Sequence, residues 1–66
     1  MDVRYLQSFV TVVESGSYAQ AARRLDLTPT AVAARVKALE QTLGLSLVKR
    51  AGRSVRPTDA GMRILD

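Results

Sequence analysis

The sequence contains no cysteine and no histidine. Their absence excludes disulfide staples and zinc fingers, as well as catalysis by a thiol or an imidazole. Aromatic side chains are also scarce, because the chain has one phenylalanine, two tyrosines and no tryptophan. No apolar run approaches the roughly 20 residues that a membrane span requires, and the first residues, Met1-Asp2-Val3-Arg4, lack the basic and apolar regions of a signal peptide. We therefore expect a soluble, cytoplasmic protein that needs no cofactor and no structural metal.

Positive charge is concentrated in one segment of the chain. The formal net charge is +4, from 10 lysine and arginine residues and 6 acidic ones. Residues 45–57 carry the whole excess, because the rest of the chain is neutral overall; their basic side chains, with no acidic one among them, are Lys49, Arg50, Arg53 and Arg56. A local basic patch of this kind indicates a polyanionic partner. The carboxylates, by contrast, are scattered and no glycine-rich phosphate loop is present, so the sequence does not predict an enzyme.

Apolar residues at helical spacing predict a first amphipathic helix over about Val3–Glu14, with its inward face formed by Leu6, Phe9, Val10 and Val13. Gly16 is expected to end this helix in the left-handed conformation. A second helix is predicted over Ser17–Leu25. It opens with a capping box, in which the Ser17 hydroxyl and the Gln20 amide satisfy opposite backbone N–H groups.

A tight turn at Asp26-Leu27-Thr28 leads into a third helix, predicted over Pro29–Leu43. Thr28 is a good N-cap, and proline is favoured at the first helical position. The inward face of this helix is predicted to consist of Val32, Val36, Leu39 and Leu43, and Gly44 should terminate it.

After Gly44 the hydrophobic period changes from 3.6 to about 2, which predicts two short strands. They are expected at Leu45–Arg50 and Ser54–Arg56, with a turn at Ala51-Gly52-Arg53, and Pro57 should end the second strand because it has no N–H to donate. Thr58 is expected to cap a fourth helix that reaches barely two turns at Asp66, so we expect the helix to continue in a longer protein. The predicted fold class is mainly α with a small β-hairpin: a winged helix-turn-helix with a three-helix core, a wing and the start of a linker helix.

The outward face of the third helix is slim at its leading end, as a helix that enters a DNA major groove about 12 Å wide requires. We predict that its base-facing positions are Pro29, Thr30, Ala33, Ala34 and Arg35. The Thr30 hydroxyl can bond a base edge, the alanine methyl groups can pack on thymine, and Arg35 can meet either a guanine edge or a phosphate. In the alternative interpretation, the alanines are only good helix formers on a solvated face.

Contacts with the DNA backbone are predicted from helix starts and from basic side chains. Ser17 and Thr28 lie at helix N-termini, where free N–H groups and the positive dipole end suit phosphate. The basic candidates are Lys37, Lys49, Arg50, Arg53 and Arg56. Arg53, at the hairpin tip, can reach a minor groove or the backbone, whereas Lys49 and Arg56 are either phosphate contacts or solvated charges. Arg50 has a second interpretation, which we favour: an ion pair with Glu40 that braces the wing.

Several short pieces of the sequence together resemble the N-terminal domain of LysR-type transcriptional regulators, over the whole chain. These pieces are Leu6…Phe9…Val13, Ser17-Tyr18…Ala21-Ala22…Leu25, Leu39-Glu40…Leu43-Gly44, Leu47-Val48-Lys49-Arg50 and Pro57-Thr58-Asp59-Ala60-Gly61. The resemblance implies a DNA-binding domain in residues 1–57 and, in residues 58–66, the start of a linker helix that mediates dimerisation. It also implies partly palindromic promoter DNA as the partner of a homodimer, with a tetramer possible in the full-length protein, and a further C-terminal domain that senses a small-molecule effector.

Two departures from the family pattern bear on the DNA sequence that is read. Pro29-Thr30 stands where the family usually has Gln-Pro, and Ala33-Ala34 stands where it usually has Ser and then often Arg. We therefore expect a preference for T-rich half-sites or for DNA shape. Two other functions remain open at this point. A winged helix can bind an acidic protein surface through the same wing, and structured RNA is a further option that the scarcity of aromatic residues disfavours.

Overall fold

Within residues 2–66, which the computed structural model describes, the chain forms four helices and one β-hairpin. The elements are α1 (Val3–Ser15), α2 (Tyr18–Leu25), α3 (Pro29–Leu43), β1 (Val48–Ala51), β2 (Ser54–Pro57) and α4 (Asp59–Leu65). The two strands pair antiparallel, and α1 packs against both α2 and α3. This arrangement confirms the predicted winged helix-turn-helix. None of the helices in this part of the chain is long and apolar enough to cross a membrane.

Most helix ends lie where local capping signals predict them. The side chains of Ser17 and Thr28 accept the N–H groups of Gln20 and Ala31 at 3.3 and 3.1 Å, and the Thr58 hydroxyl accepts that of Gly61 at 3.1 Å. The left-handed residues after α1, α2 and α3 are Gly16, Asp26 and Gly44.

Small errors remain at the starts and ends of the first two helices. α1 ends one residue later than predicted, and α2 begins one residue later because Ser17 is its cap. Only half of the predicted capping box forms within residues 2–66, since the Gln20 side chain makes no return bond to Ser17.

The core lies where α1, α2 and α3 meet, and the hairpin closes it. Its buried apolar residues are Phe9, Val12, Ala21, Ala22, Val32, Val36, Leu39, Leu47 and Val55. The prediction for Leu43 is wrong, because that side chain is 38% exposed. The chain turns back after Gly44 and buries Leu47 completely, so Leu47 occupies the core in its place.

The hairpin is shorter than predicted at its first strand. β1 begins at Val48 instead of Leu45, because the backbone of Leu47 is bonded to Glu40 and Thr58 and takes no part in the ladder. Ala51 lies opposite Ser54, so the connecting loop is Gly52-Arg53 without Ala51. β2 includes Pro57, one residue beyond the predicted Ser54–Arg56, and ends there.

Candidate nucleic-acid interface

The leading end of α3 presents a narrow, uncharged surface. Pro29, Thr30 and Ala34 are exposed, whereas Ala33 is half-buried. The opposite face carries the buried side chains of Val32 and Val36, which hold the helix on the core. The structure therefore brings Thr30 and Ala34 together on one accessible face, and it leaves Ala33 at the margin of that face.

Arg35 and Lys37 continue the α3 surface in different directions. Lys37 is exposed, whereas Arg35 is half-buried. Arg35 lies close enough to Asp2, the N-cap of α1, to act on its charge. The hydrogen bonds that Arg4 donates to the Asp2 carboxyl are the main cause of a lowered pKa of Asp2, about 2, and the positive charge of Arg35 adds to the effect. The structure thus leaves Lys37 accessible and Arg35 partly covered.

The wing is the hairpin of β1 and β2 with its connecting loop. It carries four exposed cations: Lys49, Arg50, Arg53 and Arg56. Lys49 lies directly opposite Arg56, and Arg50 lies opposite Val55. Because alternate residues of a strand point to opposite faces, Lys49 and Arg56 share the outer face, whereas Arg50 shares the face of the buried Val55. Two like charges directly opposite each other repel. Neither side chain takes part in an ion pair in the described part of the chain, whose ion pairs join Arg4 to Asp2 and Arg24 to Glu14.

The predicted ion pair between Arg50 and Glu40 is wrong. Glu40 Oε2 instead accepts the backbone N–H of Leu47 at 2.7 Å and lies 3.4 Å from the N–H of Val48. The physical reason is that Leu47 is fully buried, and an N–H inside a protein needs an acceptor. Glu40 does brace the wing, but it does so through the backbone, which leaves the Arg50 side chain free of an ion pair within residues 2–66.

A second contact places the wing beside the start of α2. The N–H of Val55 in β2 donates to the carbonyl oxygen of Gly16 at 3.0 Å, next to the half-buried cap Ser17. Sequence reasoning missed this contact and the role of Glu40 as a backbone acceptor. No local pattern marks either one, because the partners are distant along the chain and meet only in the folded protein.

The arrangement suits the binding of an extended anion. A slim helix end, two capped helix N-termini and an unpaired basic hairpin belong to one small domain. Residues 2–66 contain no group of three or more His, Cys, Asp or Glu side chains that could hold a metal ion.

The domain is similar to known proteins of one family. Residues 3–62 match the family model of the bacterial regulatory helix-turn-helix proteins of the lysR family. The chain belongs to the LysR family. An uncharacterised HTH-type transcriptional regulator from the ibpB-leuC intergenic region of Azotobacter vinelandii is 48% identical over 98% of this chain and 45% of its own length. The HTH-type transcriptional activator AllS of Klebsiella pneumoniae is 42% identical over 98% of this chain and 24% of its own length.

Solved LysR-family structures share the fold in detail. The CbnR DNA-binding domain in complex with DNA superposes with a TM-score of 0.92 at 37% identity, over 98% of this chain and 75% of that one. The BenM DNA-binding domain on its catB site 1 DNA gives a TM-score of 0.91 at 34% identity, over 97% and 69%. This chain is thus a LysR-family helix-turn-helix domain, and it spans less than half the length of the two curated relatives above. Those relatives are regulators and not enzymes, in agreement with the sequence-based expectation.

Proposed function

We propose that this domain binds double-stranded promoter DNA sequence-specifically as part of a cytoplasmic bacterial transcription regulator. In this proposal α3 is the recognition helix and lies in the major groove, with Pro29, Thr30, Ala33, Ala34 and Arg35 toward the bases. The exposed, slim end of α3, together with a wing whose basic side chains form no ion pair within residues 2–66, is the observation that carries the proposal. The solved DNA complexes of CbnR and BenM, which share the fold, support it.

The DNA backbone is proposed to meet two groups of residues. Ser17 and Thr28 offer the N-termini of α2 and α3 to phosphates. The basic contacts are Lys37, Lys49, Arg50, Arg53 and Arg56. Since Arg50 forms no ion pair with Glu40, its charge remains available for a phosphate.

We also propose that the protein acts as a homodimer, with residues 1–57 as the DNA-binding unit and residues 58–66 as the start of the linker helix. A shallow groove of about 200 Å³ is lined by Leu45, Ala60, Arg63 and Ile64, and Met62 is exposed on the same helix. In this proposal a second copy covers the apolar side chains of this surface, and a symmetric dimer on half-sites about one helical turn apart presents two α3 helices to one face of the duplex. A tetramer and an effector-sensing C-terminal domain belong to the same proposal for a longer protein.

Fluorescence anisotropy of the domain on DNA tests the proposed function. The titration uses a dyad-symmetric, A/T-rich duplex and a scrambled duplex of equal composition, across a salt series. We expect tighter binding to the dyad site that persists as salt rises, because base or shape readout depends on salt less than phosphate contacts do. Equal binding to both duplexes that collapses steeply with salt would contradict sequence-specific recognition and favour an acidic protein surface as the partner.

Thr30→Ala tests base readout by the leading turn of α3. We expect the preference among half-site sequences to change by about 1–3 kcal/mol, because a hydroxyl that bonds a base edge discriminates between bases. Thr42→Ala is the matched control, since Thr42 is also exposed on α3 but lies in its last turns, where its hydroxyl bonds the Ala38 carbonyl at 3.0 Å. A uniform loss across all half-sites would show that Thr30 does not read bases.

Arg53→Ala tests phosphate contact by the tip of the wing. We expect weaker binding to every duplex and a salt slope that is shallower by about one unit. Arg24→Ala removes the same charge at a residue that is tied to Glu14 at 3.2 Å, and it should leave the slope closer to that of the wild type. An unchanged slope for Arg53→Ala would exclude the proposed contact.

A further inference from the structure

Leu47, the residue that precedes the wing, is held by hydrogen bonds at both its N–H and its carbonyl oxygen. The N–H of the fully buried Leu47 donates to Glu40 Oε2 at 2.7 Å, while its carbonyl oxygen accepts the N–H of Thr58 at 3.0 Å. The same Glu40 oxygen lies 3.4 Å from the N–H of Val48, the first residue of β1. One carboxylate near the end of α3 is therefore tied to the wing and, through Leu47, to the start of α4.

The bond from the Leu47 N–H to the Glu40 carboxylate, at 2.7 Å, is of the strong kind. A hydrogen bond to an ionised acceptor is roughly twice as strong as one between neutral groups. If the acceptor were removed, the Leu47 N–H would remain unsatisfied inside the protein, which is costlier than the removal of an exposed bond. On the β2 side, the wing is held by the bond from the Val55 N–H to the Gly16 carbonyl. Glu40 thus supplies the attachment of the β1 side to the helix that carries Thr30.

We propose that Glu40 is a positioning residue for DNA binding: its carboxylate holds the wing at a fixed place relative to α3, so that the wing cations and the leading turn of α3 meet one duplex together. This inference rests on the proposed function and adds to it a residue that need not touch DNA. It also makes a prediction opposite to that of simple electrostatics. Removal of a negative charge should strengthen attraction to a polyanion, whereas removal of the positioning hydrogen bond should weaken binding.

Two variants separate these effects. Glu40→Gln and Glu40→Met remove the same charge and keep a side chain of similar length, but only glutamine keeps an oxygen that can accept the Leu47 N–H. Any difference between the two variants therefore reports the hydrogen bond and not the charge.

Amide hydrogen exchange in the free protein tests the hydrogen bond itself. In Glu40→Met, the amides of Leu47, Val55 and Thr58 should exchange at least about tenfold faster relative to the core amide of Val36. The Leu47 amide loses its acceptor, and the other two amides lose the support that this bond gives to the wing. Glu40→Gln keeps a neutral acceptor, so these amides should exchange more slowly in it than in Glu40→Met. If Glu40→Met fails to fold, Glu40→Asp serves instead, since it withdraws the carboxylate by one methylene. Equal relative protection in Glu40→Gln and in the variant compared with it, Glu40→Met or its substitute Glu40→Asp, would overturn the proposal.

Anisotropy titrations on the dyad duplex then test the consequence for binding. Glu40→Met should bind more weakly than Glu40→Gln, with a salt slope shallower by about one unit for each phosphate that the wing no longer reaches. Glu40→Gln should bind at least as tightly as the wild type. If the two variants bind alike while the wild type still prefers the dyad site, the positioning role is wrong and the proposed function stands. If the wild type prefers no duplex, the proposed function fails and this role fails with it, and the exchange data then report only a structural hydrogen bond.

Discussion

Gly61→Ala is the substitution whose effect the structure defines most sharply. Gly61 is buried in α4, and a Cβ at this position would overlap the carbonyl oxygen of Leu47 and lie 3.2 Å from both the Leu47 carbonyl carbon and Phe9 Cζ. Neither neighbour can withdraw easily, because the Leu47 carbonyl accepts the Thr58 N–H at 3.0 Å and the Phe9 side chain is fully buried. The added methyl group must therefore push α4 away from the core.

One favourable and two unfavourable contributions decide the size of the change. Alanine is a better helix former than glycine by about 0.5–1 kcal/mol. Overpacking in a rigid site costs about 1–3 kcal/mol, and a weakened bond between Thr58 and Leu47 adds about 0.5–1.5 kcal/mol. We expect a net loss of about 1–3 kcal/mol in the free energy of unfolding. That is a large share of the roughly 3–10 kcal/mol expected for a domain of this length.

Urea and thermal unfolding followed by circular dichroism measure this loss. The melting temperature should fall by about 4–8 °C for each kcal/mol lost. Gln41→Ala is the control, because Gln41 is exposed on α3, lies outside the proposed dimer surface and should change stability by less than about 0.5 kcal/mol. A Gly61→Ala protein that is as stable as the wild type, or more so, would refute the close approach of α4 to Leu47.

Two further changes test the electrostatics of the free domain. Asp2→Asn should remove a stabilisation that is present above about pH 4 and is lost as the pH falls toward 2, because Arg4 lowers the folded-state pKa of Asp2 from 3.8 to about 2. Urea unfolding of the wild type and the variant between pH 5 and 2 measures this effect. A stability difference that does not vary with pH would contradict it. Lys49→Glu should raise the melting temperature at low salt, since an opposite-charge pair with Arg56 replaces a repulsive one and gains about 0.2–1 kcal/mol. The same change should weaken DNA binding. A lowered melting temperature at low salt would show that the repulsion between Lys49 and Arg56 does not reduce stability.

Local chemistry was sufficient to predict α3 and the turns around it. Thr28 and Pro29 mark its start and Gly44 marks its end, and the bounds Pro29–Leu43 are confirmed. Asp26 takes the left-handed conformation that the predicted turn requires. These features depend on bonds between residues at most four apart, so the sequence displays them directly. The net charge of the wing is also displayed directly, because it follows from the residue types alone.

Leu43 and Glu40 show what local chemistry does not contain. Leu43 continues the apolar stripe of α3, yet it is Leu47 that the returning chain carries into the core. Glu40 lies near the wing, as its charge and that of Arg50 suggested, but its carboxylate bonds the Leu47 N–H and not the arginine. Both outcomes depend on where the hairpin packs against the helices. A buried N–H takes the acceptor that the fold brings within reach, and that choice exists only once the tertiary structure has formed.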